Sequence, residues 1–476
     1  MKGFSPSVSW LSETDKRRID EAVRRLLSDV GMRIYHEEAL ALLEKSGCRP
    51  DGEGMVRIPP DLLQQSLDSA PASIAVFDRN GEPAMDLGED RSYFGTGSDL
   101  LYVLEGKDYR RRRCVLEDVA RAARVCDALP NIDFIMSYAH PSDVAPHRAY
   151  LLSFQAMAEN STKPIVCTAE GRADLEEMWH IGRLIRGGEE ALARRPYFIH
   201  YAEPISPLKH PFESVDKLFL CADKRIPVVY SPAPIAGSTA PMTVAGHLVQ
   251  GLAECFCGLV LHQLRSQGAP FIMGMGPAVL DMATTQCSYN APEYYLSLMG
   301  MVEMSRYYDL PNWGYAATSD AQIPDGQAAF EAGFLSYLSA SAGSNLNHDV
   351  GYLDFGRTGC LEMIVVSDEM IDQIRRLQRG IPVDEEQIAL EVVREVGADG
   401  HFLDHDHTFR HFPDTQWRPK LFNRKGYEEW DADGRKDLMD RARKRLARIL
   451  ENGAASTLAD PVAEKIRERV ERFGIT

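Results

Sequence analysis

Two polar segments of the sequence, residues 318–331 and 345–357, hold most of the side chains that could do chemistry. Their candidate groups are Asp320, Gln322, Gln327, Glu331, Asn345, Asn347, His348, Tyr352, Phe355 and Arg357. Polar groups buried together are costly unless they are paired or used, so such a concentration favours a site for a polar or charged small molecule. We predict that Asp320 and His348 are catalytic, and that His348 also joins the remaining groups in binding substrate.

Several of these side chains also have a structural explanation. Asp325, within the first segment, is a good helix cap, and Gln327 and Glu331 lie four residues apart, which places them on one helix face. His348 stands between asparagines and an aspartate that could satisfy its ring as a structural histidine. Arg357 has forked donors that fit a carboxylate. The concentration of these groups, more than any single one, indicates a site.

Aromatic residues accompany the polar groups. Tyr93 and Phe94 lie at the end of an early apolar run, and Tyr352 and Phe355 lie in the second polar segment. A ring of aromatic faces is a common way to hold a quaternary ammonium group. Packing in the core explains each of the four equally well, so both readings stay open.

Eight short apolar runs predict the elements that position these groups. The runs are residues 91–94, 132–138, 164–168, 197–201, 227–231, 270–274, 312–316 and 344–347. Helical patterns separate most of them, as repeated βα units require, and eight such units close a barrel. Barrel enzymes place their chemistry at the carboxyl ends of the strands, so we expect the site just after the last two strands.

The predicted fold class is therefore α/β, a (β/α)8 TIM-type barrel with extra N- and C-terminal helices. We expect an N-terminal helical extension over residues 1–85 and the barrel over 86–380. Residues 381–476 are predicted to be a C-terminal helical region packed on the barrel. These additions at both ends are compatible with a homo-oligomer, whose size the sequence does not reveal.

Composition and charge exclude several classes of protein. The 53 basic and 70 acidic residues give a net charge of -17, which disfavours general nucleic-acid binding. No apolar run approaches the roughly 18 residues of a membrane span, and the N-terminus lacks the pattern of a signal peptide. The nine cysteines are scattered as expected of reduced thiols. We therefore expect a cytoplasmic protein without a bound metal, and a surface loop around His405 and His407.

Longer strings of the sequence resemble the trimethylamine methyltransferase family. They are residues 237–246, Glu254 with 258–264, Pro292-Glu293, residues 308–311 and residues 319–322 with 325–327. The resemblance implies an enzyme that moves a methyl group from a small amine to a corrinoid protein. Founding members of the family carry pyrrolysine, whereas this sequence has only ordinary residues. It is therefore similar to the branch that uses quaternary amines such as glycine betaine, proline betaine or carnitine.

The resemblance also implies the chemistry and the partners. The leading substrate is glycine betaine, which would give dimethylglycine, with His348 or Arg357 anchoring its carboxylate. The cobalt(I) acceptor would belong to a cognate corrinoid protein, because no cobalt-ligating Asp-x-His-x-x-Gly string occurs here and this chain is expected to bind no cofactor itself. Two alternatives stay open: a metal-dependent barrel hydrolase or lyase, and a non-catalytic betaine sensor.

Overall fold

A computed structural model describes residues 8–452 and 458–473 of the chain. Its strands are Met32–Ile34, Met55–Val56, Ile74–Phe77, Pro83–Leu87, Tyr93–Phe94, Tyr102–Glu105, Arg110–Arg113, Ile165–Cys167, Phe198–Ala202, Lys209–His210, Val228–Tyr230, Ile235–Ala236, Phe271–Met273, Ala278–Leu280, Cys287–Ser288, Trp313–Tyr315, Leu346–His348, Tyr352–Leu353 and Thr358–Gly359. Its α-helices are Glu13–Arg25, Glu37–Lys45, Pro60–Ser69, Leu116–Ala128, Ala149–Asn160, Arg172–Arg186, Glu189–Arg194, Phe212–Lys224, Val244–Arg265, Pro292–Tyr307, Gly326–Ala342, Leu361–Gln378, Glu385–Ile388, Leu390–Val396, Asp406–Thr415, Tyr427–Ala432, Leu438–Asn452 and Asp460–Arg472.

Eight parallel strand segments form a closed ring, and each overlaps one of the predicted runs. In order around the ring they are Tyr93–Phe94, 134–135, Ile165–Cys167, Phe198–Ala202, Val228–Tyr230, Phe271–Met273, Trp313–Tyr315 and Leu346–His348. The second segment joins its neighbours through bridges at Phe134 and Ile135. The eighth strand pairs back onto the first, with Leu346 opposite Tyr93. The predicted TIM-type barrel is confirmed.

Alternation along the strands fills the barrel interior, because successive side chains point to opposite faces. Seven inward side chains form one buried cluster: Phe134, Val166, Ile199, Val229, Ile272, Trp313 and Leu346. A hairpin of Ile74–Phe77 and Pro83–Leu87 adds its apolar face to the same cluster. Because Phe77 N donates to Pro196 O just before the fourth strand, this hairpin closes the amino end of the barrel. We call the carboxyl end, which the hairpin does not cover, the barrel mouth.

The two terminal regions differ from the predicted helical additions. Residues 1–85 also contain strands, one of which, Met32–Ile34, pairs with Lys209–His210 from the barrel's fourth loop. Strands of two to five residues give little periodic signal, which explains why the sequence did not reveal them. In the C-terminal region, residues 381–420 include no buried residue, whereas Leu438–Asn452 packs on the barrel helices and buries Leu446.

The helix Val244–Arg265 is long and apolar enough to cross a membrane by length and composition, which the sequence reading did not anticipate. In its most apolar window 78% is buried inside the protein, against the helices Glu13–Arg25, Pro60–Ser69 and Phe212–Lys224. It therefore serves as a core helix of the fold.

The side chain of Asn345 hydrogen-bonds the start of the eighth strand to neighbouring backbone segments at the amino end of the barrel. Its side-chain amide donates to Arg91 O at 2.8 Å, and its Oδ1 accepts from Asn312 N at 3.0 Å. We predict that Asn345→Ala lowers the free energy of unfolding by about 1–3 kcal/mol, because buried backbone groups lose their partners. Denaturant unfolding beside the exposed control Asn80→Ala measures this. An unchanged stability with lost substrate binding would instead support the predicted binding role.

Candidate active site at the barrel mouth

Aromatic rings from the ends of three strands meet at the centre of the mouth. His348, the last residue of the eighth strand, lies 4.1 Å from Trp313 and 4.1 Å from Tyr315 between ring centroids. The ring of Tyr201, from the fourth strand, lies 5.5 Å from that of Trp313. Trp313 and Tyr315 both point inward because they are two residues apart on one strand.

Further tyrosines extend this aromatic surface. Tyr289 lies 6.3 Å from Tyr315 with nearly parallel rings, and Tyr294 lies 5.7 Å from Tyr315 edge to face. Gly276 makes room for this arrangement, since a Cβ atom there would come within 2.7 Å of Tyr315 Oη. Electron-rich ring faces of this kind attract organic cations.

Asp320 holds the loop that carries Tyr289. Its carboxylate accepts from Ser288 Oγ at 2.5 Å and from Tyr289 N at 3.0 Å. Ser288 Oγ in turn accepts from Ala291 N at 2.9 Å, just before the helix Pro292–Tyr307. Burial raises the pKa of Asp320, while its bonds to Ser288 and Tyr289 lower it. The structure thus gives Asp320 a positioning role, and direct contact with substrate stays a prediction.

The other predicted groups of the seventh loop support Asp320. Glu331 accepts from Asp320 N at 2.9 Å, and Gln327 Nε2 donates to the other oxygen of Glu331 at 2.9 Å. Gln322 Nε2 donates to Asp320 O at 3.0 Å. Asp325 caps the helix Gly326–Ala342 by accepting from Ala328 N, as its structural explanation required. These hydrogen bonds hold the seventh loop in position at the mouth.

His348 and its neighbour Asp349 form a buried pair. Nδ1 of His348 lies 2.7 Å from Gly314 O and therefore carries the proton, which leaves a lone pair on Nε2. Burial lowers the pKa of His348 to about 3. Nε2 is 3.4 Å from Asp349 Oδ1, and burial raises the pKa of Asp349 to about 8. At neutral pH both side chains are thus uncharged.

The backbone around this pair is unusual. Asp349 has a φ of 75°, and Asp99, Tyr138 and Ala317 also have positive φ just beyond the first, second and seventh strands. A Cβ atom on Gly97 would lie 2.0 Å from Asp349 Oδ1, so glycine is required there. Non-glycine residues with positive φ cost free energy and cluster at functional sites, which supports the mouth as the site.

Glu203 supplies a second carboxylate, directly after the fourth strand. Tyr201 Oη donates to its Oε2 at 2.9 Å and so fixes its direction. Its side chain is exposed to solvent, yet surrounding protein desolvates it enough to raise its pKa, with nearby Asp99 adding to the rise. Burial also raises the pKa of Tyr315, and the charges of Asp349 and Glu203 contribute. Both carboxylates therefore lie near the same tyrosine.

Four of the predicted binding residues lie away from the mouth. Phe94 and Asn347 point outward from their strands, and Phe94 is fully buried, near Arg375. Tyr93 packs with the interior cluster beside the hairpin, where its hydroxyl accepts from the backbone N–H of Asp86. Asn345 is engaged at the amino end. The structure thus gives these four side chains packing and bonding roles, because alternation along the strands and position at the amino end keep them from the mouth.

The remaining three predicted residues lie at or near the mouth. Tyr352 Oη donates to Ser98 O at 2.7 Å and is buried beside Gly97. Arg357 donates to Asp354 Oδ1 at 2.8 Å, and its guanidinium lies 5.5 Å from the ring of Phe355. Arg357 is therefore already paired with a carboxylate of its own chain.

Sequence reasoning missed five residues of this site. Tyr201 and Tyr315 could have been found from the sequence. Each lies two residues after an inward-facing residue of a predicted strand, Ile199 or Trp313, so each also points inward at the carboxyl end of its strand. The missed residues are Tyr201, Glu203, Tyr289, Tyr315 and Asp349. Tyr289 carries no such signal, since it reaches the mouth from a loop whose path the sequence does not specify.

Other candidate features lie elsewhere. Among the described residues, no group of three or more histidine, cysteine or acidic side chains could hold a metal ion. His407 and His411 lie on an outer helix, where His411 contacts Glu386. A cavity of about 860 Å3 lies outside the barrel and is lined in part by Glu170 and Arg469.

Comparison with known proteins identifies the family. A family model described as trimethylamine methyltransferase (MTTB) matches residues 1–473. The chain belongs to the trimethylamine methyltransferase family. It is 30% identical to trimethylamine methyltransferase MttB of Desulfitobacterium hafniense strain DSM 10664 / DCB-2, over 99% of this chain and 95% of the relative. It is 26% identical to glycine betaine methyltransferase of D. hafniense strain Y51, over 98% of each.

These findings confirm the predicted family and its class of enzyme, a methyltransferase. The monomethylamine methyltransferase MtmB of Methanosarcina barkeri has a similar structure, with a TM-score of 0.53. The match covers 96% of this chain and 90% of that one at 12% sequence identity, so it supports the fold alone.

We predict that Asp349→Asn stabilises the protein in a pH-dependent way. The wild-type carboxyl keeps its proton up to a pKa of about 8 in the folded state, against an ordinary value of 3.8, so folded wild type loses stability as pH rises between these values. Asparagine removes that loss. Urea unfolding at pH 5.5 and pH 8 should show the larger gain at pH 8; an equal gain at both would mean that Asp349 has an ordinary pKa.

Proposed function

We propose that this chain transfers a methyl group from a small quaternary amine to the cobalt(I) of a corrinoid protein. The observation that carries the proposal is the aromatic mouth, in which Tyr289 and Tyr315 present nearly parallel rings beside the carboxylates of Glu203 and Asp349. Aromatic faces suit an ammonium ion that has no N–H to donate, and such a cation favours the ionised form of acidic groups beside it. Family membership supports methyl transfer from a small amine, and the glycine betaine methyltransferase relative supports a quaternary one.

The reaction requires orientation more than proton transfer. A quaternary nitrogen already carries a positive charge, so when the methyl carbon leaves, the C–N electron pair stays on nitrogen and a neutral tertiary amine results. The mouth residues hold the cation and exclude water, which fixes the methyl group for in-line transfer. The ring of His348 offers the substrate cation an uncharged contact surface, since its Nδ1 proton is hydrogen-bonded to Gly314 O.

The acceptor would be a separate corrinoid protein, whose cobalt supplies the nucleophile when that partner is bound. The mouth is the end of the barrel that the hairpin of Ile74–Phe77 and Pro83–Leu87 leaves uncovered. A methyl group held there can face an approaching partner. Glycine betaine, the leading substrate predicted from the sequence, and proline betaine and carnitine belong in the first assay.

The direct test incubates the protein with each quaternary amine, a cognate corrinoid protein and a reductant. We expect the corrinoid absorption spectrum to shift to that of the methylated form, with one equivalent of tertiary amine produced. No spectral change with any quaternary amine would contradict the proposal, and binding without transfer would favour the sensor alternative.

We predict that His348→Ala and Asp320→Ala each lower turnover at least tenfold, or about 1.4 kcal/mol in barrier. The first removes a ring in contact with Trp313 and Tyr315, and the second releases the loop that holds Tyr289. The exposed His401→Ala and Asp404→Ala are matched controls that should retain activity. Wild-type turnover in both mouth variants, with folding verified by circular dichroism, would place the site elsewhere.

A further inference from the structure

We propose that the preferred substrate is a quaternary ammonium ion without a carboxylate group, and that Glu203 is the residue that sets this preference. The inference rests on the proposed function and names its substrate class. It follows from the arrangement of the acidic side chains and of the already paired cationic side chains near the mouth. Glycine betaine, which carries both charges, would then be the poorer of two substrates that share the same trimethylammonium head.

Three acidic side chains lie at or near the mouth. Glu203 is fixed by Tyr201 Oη and lies near Asp99, whose charge adds to the rise in the pKa of Glu203 after burial. Asp349 lies against Gly97 and keeps its proton at neutral pH. A bound cation favours the ionised form of these groups, whereas a substrate carboxylate beside them would disfavour it.

Cationic side chains near the opening already have partners. Arg357 donates to Asp354, and Arg111 Nη1 lies 3.3 Å from the same carboxylate. Lys217 Nζ donates to Ala169 O at 2.6 Å, and His140 Nδ1 lies 3.6 Å from Asp99. A substrate carboxylate would have to share these cations with the groups that they already contact.

His348 cannot replace them as the carboxylate anchor that the sequence suggested. Its proton lies on Nδ1 and is used by Gly314 O, so Nε2 offers only a lone pair toward the mouth. Its burial lowers the pKa to about 3, so the ring stays neutral at physiological pH. A lone pair repels a carboxylate but can accept a hydrogen bond from a hydroxyl group. A substrate such as choline, with a hydroxyl where betaine has a carboxylate, fits this neighbour better.

Choline and glycine betaine are the matched probes for the test. Each is titrated calorimetrically into the wild-type protein without any corrinoid partner, and each is then assayed for methyl transfer with the partner present. We expect choline to bind at least tenfold more tightly than glycine betaine, and to be demethylated with a correspondingly higher kcat/KM.

Glu203→Gln separates charge from shape. It keeps the side-chain size and can still bond Tyr201, but it removes the charge. We expect the choline-to-betaine affinity ratio to fall at least fivefold, through weaker choline binding and stronger betaine binding. Glu190→Gln, which removes an exposed charge on the helix Glu189–Arg194, should leave the ratio unchanged.

Tighter binding of glycine betaine, with a ratio insensitive to Glu203→Gln, would overturn this inference and leave the proposed function intact. Failure of every quaternary amine to bind or react would instead defeat the proposed function itself. A ratio that responds equally to Glu190→Gln and Glu203→Gln would show a general charge effect, and would also contradict a specific role for Glu203.

Discussion

The pairing of the eighth barrel strand with the first, Leu346 opposite Tyr93 and Asn347 opposite Phe94, is the constraint on which the site depends. It closes the ring. Beside it, the pairing of the seventh strand with the eighth places His348 opposite Tyr315 and in ring contact with both Trp313 and Tyr315. Closure also sets which side chains can reach the mouth, because alternation sends every second one into the helical layer.

Within that ring, the mouth combines groups that are costly to bury. Asp349 sits in a left-handed backbone conformation with its pKa raised by burial to about 8, and Glu203 is held by Tyr201 while its own pKa is raised. Both the backbone conformation and the burial of these groups are unfavourable for folding. A cation bound against the tyrosines would offset these costs, which connects the strained backbone, the buried carboxylates and the aromatic surface to one ligand chemistry.

The barrel could be predicted from sequence because eight apolar runs recur with helices between them, a pattern that reports on burial directly. His348 and Asp320 could be placed near the mouth because they follow the last strands. Phe94 and Asn347 were also assigned to the mouth, although alternation turns them outward. Tyr289 and Glu203 were missed for another reason. Their places depend on loop paths and on hydrogen bonds, such as that from Tyr201 Oη, which join residues that no local pattern relates.

The central claim is that a quaternary ammonium ion binds at the barrel mouth. A crystal structure of the protein soaked with tetramethylammonium tests it most directly, since this ion is the simplest analogue of the quaternary nitrogen that every substrate considered carries. The account predicts the ion within about 6 Å of the ring centroids of Tyr289 and Tyr315, on the side facing Glu203. An empty mouth, with the ion instead in the outer cavity lined by Glu170 and Arg469, would contradict it.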